Sequence, residues 1–308
     1  MTDVDSGSPL VSVGIPTYNR RDMLKRAVES VLAQDYPDFE VVISDNASTD
    51  GAQALCEDLC LRDGRVHYIR QSTNKGPIAK FNEVFRHSHG ELFMYSDDDD
   101  WLDPSYLSQC VSTLLEQPEL ALVSGVWKWY RDRTLVHEGI RMNLLQESGR
   151  DRVLAYYKQV RANEVFHGVS RRDLLMKAQP MPRTLGFDSA YMAAIAFMGK
   201  MRTLESTWVN KSVSETYGDW EKMARSLGLP MAHPRFWYLY VAISAFSDIA
   251  WVSPVYKASG YFSRFTLAFQ ASLLFLCGFC VQSIPWPLLL VLRAARRVGK
   301  ACWISAAR

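Results

Sequence analysis

Over the first hundred positions the apolar residues alternate between short continuous runs and helical spacing. The run LVSVGI at 10–15 is continuous and short, the pattern of a buried strand. Met23, Leu24, Ala27, Val28, Val31 and Leu32 then recur three and four apart and predict a helix over 20–34. FEVVISD at 39–45 predicts a second strand, and NASTDG after it is a turn-and-cap cluster. A helix over 52–62 and a strand over 66–70 follow. Next comes a helix over 76–88 with Pro77 in its first turn, where a missing N–H does little harm. A fourth strand, ELFMYS, occupies 91–96. Such alternation implies an α/β, Rossmann-like fold, with a mostly parallel sheet and helices on both faces.

Ligands of open parallel sheets bind beyond the carboxyl ends of the strands. The segments at three such ends are PTYN (16–19), DNASTD (45–50) and DDDD (97–100), which should converge on one crevice. Four adjacent carboxylates repel one another unless a counter-ion is present. Carboxylate oxygens suit the hard cations Mg²⁺ and Mn²⁺, which in turn hold phosphates. The chain contains neither G-x-x-x-x-G-K-[ST] nor G-x-G-x-x-G, which argues against P-loop enzymes and dinucleotide dehydrogenases. Further on, LALVSGVWKWYRD (120–132) reads as a strand, 149–178 as helical segments, and FDSAYMAAIAFMGKM (187–201) as a helix.

The segments VSVGIPTYNRRDMLKRAVESVLAQDYPDFEVVISDNASTDG, NKGPIAKFNEVFRHSHGELFMYSDDDDWLDPSYL and, more weakly, FDSAYMAAIAFMGKMRTLES resemble family 2 of the inverting glycosyltransferases. The resemblance covers about residues 9 to 210. It implies the glycosyltransferase A (GT-A) fold over 9–215, after a flexible start at 1–8 and before a helical C-terminal region at 216–308. It also implies that Pro16, Thr17 and Tyr18 line a nucleotide pocket and that Asp45 accepts a hydrogen bond from the ring N–H of uracil or thymine. Asp45 could instead cap its turn. Asn74, Gly76 and Asn82 fall where the family shapes the pocket floor, although Gly76 is equally a plain turn residue.

Counting back from Pro104 sets the family's acidic motif in register. Asp97 then faces the ribose or a metal-bound water and Asp99 is the direct metal ligand, which makes Asp97 and Asp99 the metal pair. Asp98 fills the variable slot on the nucleotide-sugar side. The catalytic base matches Asp188, at the start of a helix, where an aspartate is also a favoured cap. The histidines, His167 among them, read as surface or packing residues, and Lys211 as solvated.

The implied activity is transfer from a UDP- or dTDP-linked sugar to a hydroxyl of a glycan or lipid-linked acceptor, with Mn²⁺ or Mg²⁺. That chemistry belongs to cell-surface polysaccharide or lipopolysaccharide synthesis. The alternatives are a sugar nucleotidyltransferase and a catalytically silent sugar-nucleotide-binding subunit. The former usually carries a glycine- and arginine-rich loop where this chain has IPTYNRRD.

Charge adds one more expectation. All 33 acidic residues lie at or before Asp248, while seven basic residues follow it and the whole chain carries only +2. Between Arg264 and Arg293 no residue is charged. A greasy, basic tail suggests an anionic membrane surface as a partner, and not nucleic acid. The 265–292 stretch could span, lie on or avoid the bilayer. MTDVDSGSPL has no signal-peptide character, and the six cysteines show no disulfide or zinc pattern. Both features point to the cytoplasm, at the inner face of the cell membrane.

Overall fold

The computed structural model describes residues 8–131, 133–213, 220–229 and 236–283. The expected flexible start therefore lies outside the described residues but for Ser8, as do 284–308 of the tail and most of the expected boundary near 216. The chain runs β1 (Val11–Thr17), α1 (Arg21–Leu32), β2 (Phe39–Asp45), α2 (Ala52–Arg62), β3 (Val66–Arg70), α3 (Pro77–Arg86), β4 (Leu92–Tyr95). It continues through β5 (Asp100–Leu102), α4 (Tyr106–Glu116), β6 (Leu120–Arg131), β7 (Thr134–Glu138), α5 (Gly149–Gln159), β8 (Val169–Arg171) and α6 (Arg172–Ala178). The remainder is α7 (Phe187–Met198), β9 (Lys200–Ser212), α8 (Trp220–Ser226), α9 (Trp237–Ser247) and α10 (Tyr261–Ser283).

One sheet holds all nine strands in the order β3-β2-β1-β4-β8-β6-β9-β5, with β7 on β6. Its first half, β3-β2-β1-β4, is the expected parallel sheet. Every residue of β1 and β2 is buried, as suits strands covered on both faces. Beyond β4 the sheet is mixed. The three-residue β8 runs antiparallel to both β4 and β6, while β9 is parallel to β6 and antiparallel to β5. The segment 149–178 is therefore not all helical, since Val169–Arg171 is a strand too short to show a period.

Helices cover both faces. Leu24 and Val28 of α1, Leu55 of α2 and Leu107 of α4 pack on Val13, Ile15, Val41 and Ile43. On the other face Phe81 of α3, Tyr157 of α5 and Ile195 of α7 share a core with Val241 of α9 and Ala271 of α10. α9 and α10 thus close over α5 and α7 within the same apolar core. Gly14 lets α3 press onto β1, because a Cβ there would stand 2.8 Å from Phe93 Cζ and 2.9 Å from Val84 Cγ2.

Asp248 is buried in a single wide turn (Asp248–Val252) after α9. Burial pushes its carboxyl up to about 7, and its charge acts on the buried hydroxyls of Tyr157 and Tyr256. Above the ordinary carboxylate range the unfolded chain has released this proton while the folded chain still holds it. The stabilisation is therefore full at acid pH and is lost as pH rises through about 7. Asp248→Asn should raise the melting temperature above wild type at about pH 8 and leave the two proteins alike near pH 4. Parallel melting curves across that range would remove Asp248 from the pH dependence.

Candidate active site

Three chain reversals at the carboxyl ends of β1, β2 and β4 meet, as the alternation implied. Thr17 and Asp45 are register partners at the ends of β1 and β2. The Thr17 hydroxyl donates to Asp98 Oδ2 at 2.8 Å. The turn after β1 is stitched to the turn after β2. Asn19 N donates to Ser48 Oγ at 2.9 Å, and Thr49 N donates to Asn19 Oδ1 at 2.8 Å. Asn46 joins a further segment, the one between β3 and α3, donating through Nδ2 to Asn74 Oδ1 (2.7 Å) and Gly76 O (3.1 Å) and accepting from Lys75 N (2.9 Å). Gly76 adopts φ 85°, a left-handed conformation that favours glycine, just ahead of α3.

The chain itself supplies counter-ions to the four aspartates. Arg20 Nη1 bridges Asp98 Oδ1 at 3.1 Å and Asp99 Oδ2 at 2.9 Å. Lys211 Nζ lies 2.6 Å from Asp100 Oδ2 and 3.3 Å from Asp97 Oδ2. It also sits 4.2 Å from the Trp127 ring centroid. Backbone pairing sets this contact, because Asp100 of β5 is the register partner of Lys211 in β9. His167, in the short 3-10 turn Glu164–His167, brings Nε2 to 3.3 Å from Asp97 Oδ2 while Nδ1 lies 3.1 Å from Tyr95 O.

These cations divide the cluster. Burial opposes ionisation at Asp97, but the charges of His167 and Lys211 outweigh it and hold this carboxyl well below its usual range. Burial, with repulsion from Asp97, instead pushes Asp100 up to about 7 despite Lys211. Asp98 is raised, again chiefly by burial and against the pull of Lys80 and Arg20. Burial also works against the Lys211 ammonium, yet Asp100 and Asp97 raise its pKa overall. Burial thus opposes the charge of Asp100 and Asp98 more than their cationic neighbours favour it, whereas at Asp97 the neighbours prevail.

One oxygen of each of Asp97 and Asp100 and one nitrogen of His167 lie within 4.8 Å of one another. Asp100 Oδ1 is buried and has no hydrogen-bond partner among the described residues. An unpartnered carboxylate oxygen beside a second carboxylate and an imidazole fits a divalent ion such as Mn²⁺. Of the expected pair, Asp97 belongs to this group, while Asp99 faces Arg20.

The other expected residues separate by environment. Pro16 is buried within β1 and Tyr18 is exposed beside the cluster. Asp45 is fully buried: Oδ1 accepts from Ser48 N and Oδ2 from the Tyr68 hydroxyl, each at 2.8 Å. Arg70 Nε stands 3.5 Å from the same Oδ2. That is the turn-holding arrangement, with Oδ2 shared between Tyr68 and Arg70. Asn82 accepts from Met181 N at 3.3 Å, tying α3 to the segment before α7.

Asp188 lies in the first turn of α7, whose cap is Gly186 and not Asp188. Its Oδ2 accepts from Asn163 Nδ2 at 2.9 Å, and Asn163 Oδ1 accepts from the Tyr156 hydroxyl at 2.6 Å. Burial raises the Asp188 carboxyl, and its hydrogen bonds and His167 only partly offset this.

Four residues gain a place here that the sequence reading did not assign. Lys211 and His167 are buried in charge pairs, which overturns the reading of Lys211 as solvated and of His167 as a surface residue; His167 does pack, its ring 5.0 Å from that of Trp127. Arg20 and Asn46 stood inside the quoted motifs without a role. Proximity to PTYN and DNAS was the signal for these two. No local pattern marked Lys211 or His167.

The family model for Glycosyl transferase family 2 matches residues 12–177, more than half of the chain. WcaA of Escherichia coli (strain K12), whose name ties it to colanic acid biosynthesis, is 31% identical over 163 residues, 52% of this chain and 57% of that protein. The GalNAc(5)-diNAcBac-PP-undecaprenol beta-1,3-glucosyltransferase of Campylobacter jejuni is 34% identical over 110 residues, 35% of this chain and 34% of that protein. The matched stretch thus spans less than two thirds of either relative. Among solved structures, the mannosyltransferase PcManGT of Pyrobaculum calidifontis, in complex with GDP-Man and Mn²⁺, is similar at TM-score 0.53 and 20% identity, covering 95% of this chain and 81% of that one. TarS 1-349 of S. aureus, in complex with UDP, is similar at TM-score 0.54 and 18% identity, covering 78% and 72%. At these identities the structures speak for the fold, a GT-A sheet followed by helices. The sequence match over β1 to α6, carrying the three strand-end segments that meet around Asp97–Asp100, makes this chain a member of glycosyl transferase family 2.

Proposed function

We propose that the protein is an inverting glycosyltransferase moving a sugar from a UDP- or dTDP-linked donor to a hydroxyl of a glycan or lipid-linked acceptor. The observation that carries this reading is the bond from Thr17 at a strand end to Asp98, with the 163–167 stretch meeting Asp188 through Asn163 and Asp97 through His167. The names of similar proteins support it. TarS has been captured with UDP and with UDP-GlcNAc, and the Campylobacter relative is named for an undecaprenol-linked substrate. The setting would be cell-surface polysaccharide assembly, consistent with the name of the E. coli relative.

In this reaction Asp188 removes the acceptor hydroxyl proton as that oxygen attacks the anomeric carbon. A new carbon–oxygen bond forms on the face opposite the departing nucleoside diphosphate. The old bond to the phosphate oxygen breaks, and the proton ends on Asp188. Asn163 and Tyr156 hold the Asp188 carboxylate in place. Asp97, Asp100 and His167 would hold Mn²⁺ or Mg²⁺, which when bound supplies Lewis-acid stabilisation of the leaving diphosphate. The uracil or thymine N–H would reach Asp45 as Arg70 gives way.

Incubation with UDP- and dTDP-sugars, acceptor and Mn²⁺ should release nucleoside diphosphate. A sugar nucleotidyltransferase would require pyrophosphate or a nucleoside triphosphate, and a silent binder would release nothing. Asp188→Asn should keep donor binding and lower transfer by roughly 100-fold or more. The base must be ionised, so wild-type kcat/KM should fall as pH drops through the raised Asp188 pKa, with its half-point above the ordinary carboxylate range. Full turnover by Asp188→Asn would place the base elsewhere.

Calorimetric titration with Mn²⁺ separates the candidate ligands. His167→Ala and Asp97→Ala should weaken binding by about tenfold or more. A loss confined to Asp99→Ala would restore Asp99 as the ligand.

Lys211→Met should destabilise the apoprotein by about 3 kcal/mol, because it leaves buried Asp100 and half-buried Asp97 without their shared counter-ion. Mn²⁺ should recover part of that loss in urea denaturation. An apoprotein as stable as wild type would mean that the pair contributes nothing net.

A further inference from the structure

α9 and α10 pack antiparallel at the end of the described chain. Ser272 Oγ donates to Ala242 O at 2.9 Å, and the Phe246 and Phe265 rings lie 5.9 Å apart. Each helix turns one side to the common core and an apolar stripe outward. On α10 the stripe is Phe262, Phe269 and Leu273, at spacings of seven and four that keep one helical face, with Phe262 83% and Phe269 62% exposed. On α9 Leu239 and Ile243 face solvent, the latter 67% exposed. The contacts above set Ile243 level with Phe269 to Leu273. Trp251 and Val252 in the connecting turn are exposed too, and Trp251 packs edge-on to Phe265 at 4.6 Å.

Scattered apolar residues on a surface are ordinary, but adjacent stripes with aromatics between them mark a contact surface. Charge indicates what covers this one. Asp248, the last acidic residue of the chain, is buried, so the described residues after it carry only the cations Lys257 and Arg264. Arg150 borders α10 on its polar edge, where it donates to Ser263 O and Thr266 Oγ1, both at 3.4 Å. Apolar and aromatic side chains bordered by Arg150, on a segment whose described charges after Asp248 are all cationic, match the acyl and headgroup layers of an anionic leaflet. No helix among the described residues is long and apolar enough to cross a membrane, so the matching geometry is helices lying in the plane.

We propose that the outer face of α9, the Asp248–Val252 turn and α10 docks on an anionic lipid bilayer, inserting Ile243, Trp251, Phe262 and Phe269. This goes beyond the transfer reaction and does not depend on it. Docking would hold Asp188 near acceptors carried by the bilayer, because α5 and α7, which carry Tyr156 and Asp188, underlie α9 and α10.

The test is partition of the full chain between buffer and sedimented vesicles, either phosphatidylcholine alone or with roughly a third phosphatidylglycerol. Wild type should bind the anionic vesicles, bind the neutral ones less, and be released by salt. Phe262→Ser/Phe269→Ser and, separately, Ile243→Ser alter exposed positions. The first should lower partition by about tenfold or more with an unchanged melting temperature. Absence of wild-type binding would overturn the proposal. So would equal binding by both variants, which would assign attachment to other residues. A concentration-dependent dimer lost in the variants, without vesicle binding, would instead make this face an interface between two copies.

Discussion

The Lys211 ammonium between Asp97 and Asp100 lets four consecutive carboxylates stand at one strand tip. Buried like charges would otherwise force the tip open or take up protons. The pair also orders the backbone around it. Asp100 and Lys211 are register partners, so the charge contact and the β5–β9 ladder reinforce one another. Arg20 does the same from the other side, drawing Asp98 and Asp99 toward the turn that follows β1. Compensation is still incomplete, because Asp100 keeps an unpartnered oxygen and a raised pKa.

That arrangement needs the mixed half of the sheet. β8 ends the parallel run and carries the chain out of the turn that presents His167. β9 then crosses beside β6 to deliver Lys211. Asn163, just before the same turn, reaches Asp188 at the start of α7. One short stretch, 163–167, thus links the acidic cluster to Asp188. The helices that close the chain pack on α5 and α7, so the apolar outer face and Asp188 belong to one core.

Lys211 and His167 also mark the border between what could be read locally and what could not. β1, β2 and β4 were legible because each holds a continuous apolar run, and β3 because helical spacing flanks it; a parallel sheet gathers its strand ends by construction. The meeting of PTYN, DNASTD and DDDD follows from that alone, and Thr17 bonded to Asp98 is its physical expression. The motif residues Asn74 and Gly76 likewise sit where the strand ends converge.

Which carboxylate faces which cation was a different matter. Four identical side chains in a row carry no internal signal of direction; Asp98 and Asp99 lie in the turn ahead of β5 and meet Arg20, while Asp100 opens β5 opposite Lys211. His167 and Lys211 lie 67 or more positions beyond the acidic run, in a turn and a strand that have no helical period. Local pattern therefore determined the parallel half-sheet and the address of the site. The pairing of its charges was decided only when the antiparallel strands folded back, because electrostatic partners are chosen by distance in space and not along the chain.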